Sequence, residues 1–127
     1  MTNRAVISTP DAPEAIGPYS QAIKVGNTVW LSGQIPLIPG SMELVTGDIG
    51  DQARQVFTNL AAVAEAAGGS LNHAVKINIS LTSLDHFAAV NEVMASFLQE
   101  PYPARACVQV AALPKGVDIE VEAILAI

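Results

Sequence analysis

The sequence is poor in the residues that several common protein classes require. Its 127 residues include one cysteine, two histidines, one tryptophan, two tyrosines and three phenylalanines, and only 14% are charged. A single cysteine excludes an intrachain disulfide and fits a reducing cytoplasm. No apolar run approaches the roughly 18 residues of a spanning helix. The first twenty residues also lack the basic and apolar segments of a signal peptide, so we expect a cytoplasmic protein without a membrane partner.

Positive charge is scarce as well. Twelve acidic residues against six basic ones give a formal net charge of -6. The basic residues are scattered over positions 4, 24, 54, 76, 105 and 115, whereas a nucleic-acid footprint needs them clustered, so no nucleic-acid partner is expected. The low charged fraction leaves little to cover a monomer's surface, which favours burial of some surface between subunits.

Signatures of metal and cofactor chemistry are missing too. The sequence contains no zinc-ligand spacing, phosphate loop, dinucleotide fingerprint or nucleophile elbow. His73 and His86 have no second histidine or paired carboxylate at ligand spacing.

Half of the chain is hydrophobic, and its periodicity predicts one α+β domain over residues 1–127. Two strand–helix–strand crossovers of the usual right hand would place both helices on one face of a mixed sheet. The predicted elements are a strand at 5–8, a hairpin of 21–25 and 28–34, a helix at 48–67, a strand at 73–82, a helix at 84–100 and a final hairpin within 103–122.

The final hairpin is expected to carry functional groups. A tight turn at Pro-Lys-Gly would place Cys107 opposite Glu120 or Glu122, and Arg105 about 7 to 13 Å along the strand from Glu120. These side chains would share the sheet face that the helices leave uncovered. A guanidinium binds a substrate carboxylate through two parallel hydrogen bonds, and a second carboxylate can orient a water. The alternative is an ordinary cross-strand ion pair.

Other polar residues stand out from their surroundings. Tyr19 follows a stiff Gly-Pro pair that would fix its ring, or it simply packs over the end of the sheet. Gly33 within a strand indicates a bulge or a close approach to the backbone, and Ser32 beside it can donate a hydrogen bond to a ligand; an edge kink is the alternative. Asn91 interrupts an apolar helix stripe and requires a hydrogen-bond partner, either at the edge of the stripe or in a site.

Five motifs in order resemble the reactive intermediate deaminase family, also called the Rid or YjgF family. They are IGPYSQA at 16–22, LSGQIP at 31–36, QARQVFTNL at 52–60, FAAVNE at 87–92 and the pair PARACVQV at 103–110 with VDIEVEA at 117–123. The resemblance implies a chorismate-mutase-like α+β fold related to the ferredoxin-like fold. It also implies a homotrimer around a central β-barrel, with sites in the clefts between subunits.

The resemblance further implies an activity and its residues. Family members hydrolyse reactive enamines and imines, such as 2-aminoacrylate and 2-aminocrotonate, to 2-keto acids and ammonia without cofactor or metal. These compounds leak from pyridoxal-phosphate-dependent dehydratases, which implies a functional link. Arg105 would hold the substrate carboxylate and Glu120 would position the hydrolytic water. The pocket would be lined by Tyr19, Ser32, Gly33, Asn91 and Cys107, with Gly33 contributing backbone.

Four alternatives remain open at this point, one of which is a holdase-type chaperone role after chemical modification, on which the sequence is silent. The chain could form a trimer that binds small carboxylates for regulation without useful turnover. It could be a deaminase of one catabolic pathway, acting on an aminomuconate-like substrate. A ribonuclease or translation-inhibitor activity is attached to some family members, but the acidic composition and scattered basic residues weigh against it here.

Overall fold

A single mixed sheet organises the chain. The structure is a computed structural model that describes residues 3–127. Its strands and helices are β1 (Arg4–Ile7), β2 (Ala22–Val25), β3 (Thr28–Gln34), α1 (Ile49–Ala66), β4 (Ala74–Leu81), α2 (Phe87–Phe97), β5 (Ala104–Gln109) and β6 (Ile119–Ala126). The sheet order is β1-β2-β3-β6-β4-β5, with β4 and β5 parallel and the other neighbours antiparallel.

Both helices cover one face of this sheet. Alternate residues of the central strands are fully buried beneath α1 and α2, for example Ile77 and Ile79 in β4 and Val121 in β6. Because successive side chains of a strand point to opposite faces, this alternation leaves the other face free of helices. The predicted α+β fold, a mixed sheet with two helices on one face, is confirmed.

The start of α1 agrees with its sequence signal, whereas the bounds of α2 differ from the predicted ones. Asp48 caps α1 as its sequence position predicts, because its side chain accepts a hydrogen bond from the Asp51 N–H. The second helix is shorter than the predicted 84–100. Residues 84–86 form a 3-10 turn, and Leu98 is already extended, with prolines at 101 and 103 just beyond.

The prediction that 103–122 forms a hairpin is wrong. β6 lies between β3 and β4, while β5 lies on the edge of the sheet, parallel to β4. The turn at Pro114–Gly116, where Lys115 has a φ of 57°, belongs to the connection that carries the chain from the edge into the sheet. A central position buries the whole apolar side of β6 against the helices, and this burial favours it over local pairing with β5.

This topology also corrects the predicted face of β5. Arg105 is in register with Ile77 and Cys107 with Ile79, and register partners point to the same face. Arg105 and Cys107 therefore lie on the face that bears the helices. Glu120 is in register with Ser80, on the opposite face.

Candidate functional site

Arg105 is held by two side chains of α2. Its guanidinium carbon lies 5.0 Å from the centroid of the Phe87 ring, a cation–π arrangement. Its Nη1 also donates a hydrogen bond to the Asn91 Oδ1. Asn91 and Phe87 are four residues apart, so they share one face of the helix. The amide that interrupts the apolar stripe thus has its partner, and that partner is the arginine.

Most of the hydrogen-bonding capacity of Arg105 is left over. A guanidinium has five N–H donors, and the contact with Asn91 uses one of them. Within residues 3–127 no carboxylate lies within ion-pair distance of it, so the ordinary ion pair with Glu120 is not formed. The side chain borders a cavity of about 480 Å³ that Met94, Leu98 and Tyr102 also line. This arrangement presents free donors in a fixed orientation to an anion.

Glu120 occupies a different cavity on the other face. Its side chain lies against the bare Cα of Gly33, so that a Cβ there would come within 2.9 Å of the Glu120 Cδ and 3.0 Å of its Oε2. The register of β3 against β6 shifts between Leu31 and Gln34. Both readings of Gly33, a bulge and a close approach, are confirmed, and the approaching group is the Glu120 carboxyl.

The environment of Glu120 favours its protonated form. Partial burial raises the pKa of this carboxyl above its usual range, and the nearby charge of Glu122 raises it further. The surrounding cavity has a volume of about 600 Å³ and is lined by Tyr19, Ser32 and Gly33 among others. A carboxyl whose pKa is raised in this way binds a proton more readily, as a general acid or base requires.

Ser32 and Tyr19 connect this cavity to the segment that precedes β2. The Ser32 hydroxyl donates to the Ser20 carbonyl at 2.6 Å, so its proton is committed and its oxygen is left to accept. The Ser32 N–H donates to the Gln21 carbonyl at 2.9 Å. Tyr19 is 54% exposed and forms part of the cavity wall.

Cys107 packs beside the helices. It is half-buried, and its side chain contacts the hydrophobic core. Burial raises the pKa of the thiol, and the neighbouring Arg105 charge offsets only part of that effect. The thiol is therefore protonated at neutral pH. Because only the thiolate is a good nucleophile, this state is more consistent with Cys107 as part of a pocket wall than as a nucleophile.

The predicted residues thus fall into two groups within one chain. Arg105, Asn91 and Cys107 lie on the helix face, whereas Glu120, Gly33, Ser32 and Tyr19 border the cavity on the opposite side. The sequence analysis missed Phe87, although its position four residues before Asn91 was a usable signal. It also missed the side chain of Gln21, a polar residue placed just before a strand.

Among residues 3–127, no group of three histidine, cysteine, aspartate or glutamate side chains converges on a possible metal position. None of the helices in that part of the chain is long and apolar enough to cross a membrane.

The mixed sheet with both helices on one face places the chain in the class of α+β domains. Residues 9–127 match the family described as Endoribonuclease L-PSP. The chain belongs to this family, which is the Rid or YjgF family, and the resemblance carried by the five motifs is confirmed.

Individual relatives are similar over nearly their whole length. A protein of Dermatophagoides farinae named 2-iminobutanoate/2-iminopropanoate deaminase is 51% identical over 127 residues, covering 100% of this chain and 99% of that protein. The crystal structure of RidA from an Antarctic Psychrobacter superposes with a TM-score of 0.93 at 59% identity, covering 97% and 99% of the two chains. E. coli TdcF, whose structure contains bound serine, superposes with a TM-score of 0.92 at 44% identity, covering 97% and 98%.

Proposed function

We propose that this chain is a single-domain hydrolase, over residues 1–127, that deaminates reactive enamines and imines such as 2-aminoacrylate and 2-aminocrotonate. The observation that carries the proposal is Arg105, oriented by Phe87 and Asn91 with most of its donors unused. A planar fork of this kind matches the carboxylate that these substrates share. The name of the relative that is 51% identical over the full chain supports the same activity.

The proposal includes assembly as a homotrimer around a central β-barrel. Within one chain Arg105 and Glu120 lie on opposite faces, so a second copy is needed to bring the two groups together. Val108 on edge strand β5 and Trp30 on the helix-free face are about half exposed, which leaves apolar surface for neighbouring subunits. Closed symmetry would then create one cleft at each interface.

In such a cleft each residue has a definite role. Arg105 of one subunit binds the substrate carboxylate and holds the imine carbon in place. Glu120 of the next subunit takes a proton from a water as the water attacks that carbon, and passes this proton to the imine nitrogen. The second proton of the water then moves from the new hydroxyl to the amine, so that the C–N bond breaks, ammonia leaves and the keto group forms. Asn91, with the wall residues Tyr19, Ser32, Gly33 and Cys107, shapes the pocket. Water supplies the oxygen and no electrons are transferred, so no cofactor is required.

The test is turnover of a substrate made in situ. A pyridoxal-phosphate-dependent dehydratase generates 2-aminoacrylate from serine, and the protein should accelerate formation of pyruvate and ammonia. Arg105→Ala should reduce kcat/KM by at least about a hundredfold, because the charge-assisted anchor is lost. Arg54→Ala is a matched control, since Arg54 is exposed on α1 and forms its ion pair with the exposed Asp51. Near-wild-type turnover by Arg105→Ala would refute the assignment.

The same assay separates the alternatives. A regulatory trimer would bind 2-ketobutyrate and leave the rate of aminoacrylate loss unchanged, whereas a pathway-specific deaminase would prefer an aminomuconate-like substrate. The family description names an endoribonuclease, but the net charge of -6 and the scattered basic residues oppose binding to RNA. We further propose a cytoplasmic location and a functional link to dehydratases, because the single cysteine suits a reducing compartment and such dehydratases release these substrates.

A further inference from the structure

The segment that carries Tyr19 has little secondary structure of its own. Residues 9–20 connect β1 to β2 without a strand or helix and contain three prolines, which lack backbone N–H groups. Even so, this segment forms one side of the cavity that contains Glu120. Such a wall holds its shape only if something outside the segment fixes it.

The side chain of Gln21 supplies those contacts. Its Oε1 accepts from the Thr9 N–H at 2.7 Å, and its Nε2 lies within hydrogen-bond distance of the carbonyls of Pro13 at 2.8 Å, Thr9 at 3.1 Å and Ala12 at 3.4 Å. The residue is only 5% exposed. One buried amide thus forms hydrogen bonds with both the N–H and the carbonyl of Thr9, and with the backbone carbonyls around Pro13.

A second pair of contacts fixes the other end of the segment. The Gln21 carbonyl accepts from the Ser32 N–H, and the Ser32 hydroxyl donates to the Ser20 carbonyl. Ser32 lies in the β3 bulge beside Gly33, against which the Glu120 carboxyl packs. The side chain of Gln21 therefore ties the start of the segment to the same strands that hold Glu120.

We propose that Gln21 is a positioning residue that sets the place of Tyr19 in the substrate cavity. The inference rests on the proposed function, because its kinetic readout is deamination. Gln21→Leu keeps a similar volume but leaves the Thr9 N–H and several carbonyls without partners, so residues 9–20 move away from the sheet. Arg105 and Glu120 are untouched. We expect KM to rise about tenfold while kcat changes less than about threefold.

The experiment compares four proteins: wild type, Gln21→Leu, Tyr19→Ala and the double variant. If Gln21 acts through Tyr19, Gln21→Leu raises KM in the wild-type background and leaves it unchanged in the Tyr19→Ala background. Lys24→Met is the matched control. Lys24 lies in β2 and donates from its Nζ to the Ala67 carbonyl, away from the cavity. The Lys24→Met variant therefore also loses a side-chain hydrogen bond to the backbone of a distant segment, but its KM should stay at the wild-type value.

Hydrogen exchange provides a readout that is independent of turnover. Gln21→Leu should accelerate exchange in peptides covering residues 9–20, while peptides of β3 and β6 keep the wild-type rate. The affinity of Gln21→Leu for 2-ketobutyrate should fall by about the same factor by which its KM rises. Equal KM penalties in both backgrounds, or faster exchange throughout the sheet, would overturn the inference. If wild type shows no turnover, the proposed function fails, and the exchange and 2-ketobutyrate measurements then decide the role of Gln21 alone.

Discussion

Arg105 and Glu120 lie on opposite faces of the same sheet. Arg105 is in register with Ile77 of β4, so its side chain lies on the face covered by helices. Glu120 is in register with Ser80 of the same strand, so its side chain lies on the other face. Successive residues of a strand alternate between faces, so no rotamer change within one chain brings the two functional groups onto one surface. A shared site requires a second subunit.

Subunit mixing tests this requirement directly. Arg105→Ala and Glu120→Gln should each be inactive alone, but unfolding and refolding an equal mixture should restore about a quarter of wild-type activity. In random trimers, that is the fraction of interfaces that receive an intact arginine from one neighbour and an intact glutamate from the other. Activity is measured with in situ 2-aminoacrylate after equilibration.

A second mixture serves as the control for this experiment. Per total amount of chain, wild type refolded with an equal amount of the Arg105→Ala/Glu120→Gln double variant should also show about a quarter of the wild-type activity if sites lie between subunits. Sites within one chain would instead retain about half, and the mixture of single variants would stay inactive. That pair of results would contradict the intersubunit cleft.

Gly33→Ala should disturb Glu120 without disturbing the fold. The added Cβ would lie 2.9 Å from the Glu120 Cδ, and Gly33 has no positive φ that would strain an alanine. The carboxyl must move aside, so kcat should fall by about tenfold or more with little change in melting temperature. Gly26→Ala is the reverse control: its φ is 58° and, among residues 3–127, a Cβ there meets nothing within 4 Å, so it should lower stability and keep kcat.

Cys107→Ser should keep most of the activity. The pKa of the thiol is raised by burial, so the group is protonated and a poor nucleophile at neutral pH. Serine is close to cysteine in size, so the pocket wall keeps its shape, although a half-buried hydroxyl replaces the thiol. We therefore expect kcat/KM to stay within about threefold of the wild-type value. A thousandfold loss, together with formation of a covalent adduct seen by mass spectrometry, would assign the thiol a chemical role.

The acid side of the pH–rate profile should respond to Glu122. Burial and the Glu122 charge both raise the pKa of Glu120, and Glu120 must be ionised to accept a proton from water. Removing the charge in Glu122→Gln lowers that pKa, so kcat/KM should persist to lower pH than in wild type. Glu65→Gln makes the same change in net charge on an exposed position of α1 and should leave the profile in place. An acid limb that moves to higher pH would contradict this electrostatic assignment.

Several local features could be predicted because their causes are local. The Gly26-Asn27 turn joins β2 and β3 as expected, Asp48 caps α1, and Gly33 marks a real bulge. Asn91 was correctly identified as an amide in need of a partner, although its partner lay fourteen residues away on another element. In each case the chemistry of one or a few neighbouring residues was sufficient.

The sequence by itself determined the class of fold, the order of its elements and the family, because periodicity and motifs are properties of neighbouring residues. Only the tertiary structure decided that β6 inserts between β3 and β4, which separates it from β5. That choice depends on which strand buries its apolar side best against both helices, a non-local quantity. It placed Arg105 on the face opposite Glu120, so the two groups can share the proposed site only if a second chain contributes one of them.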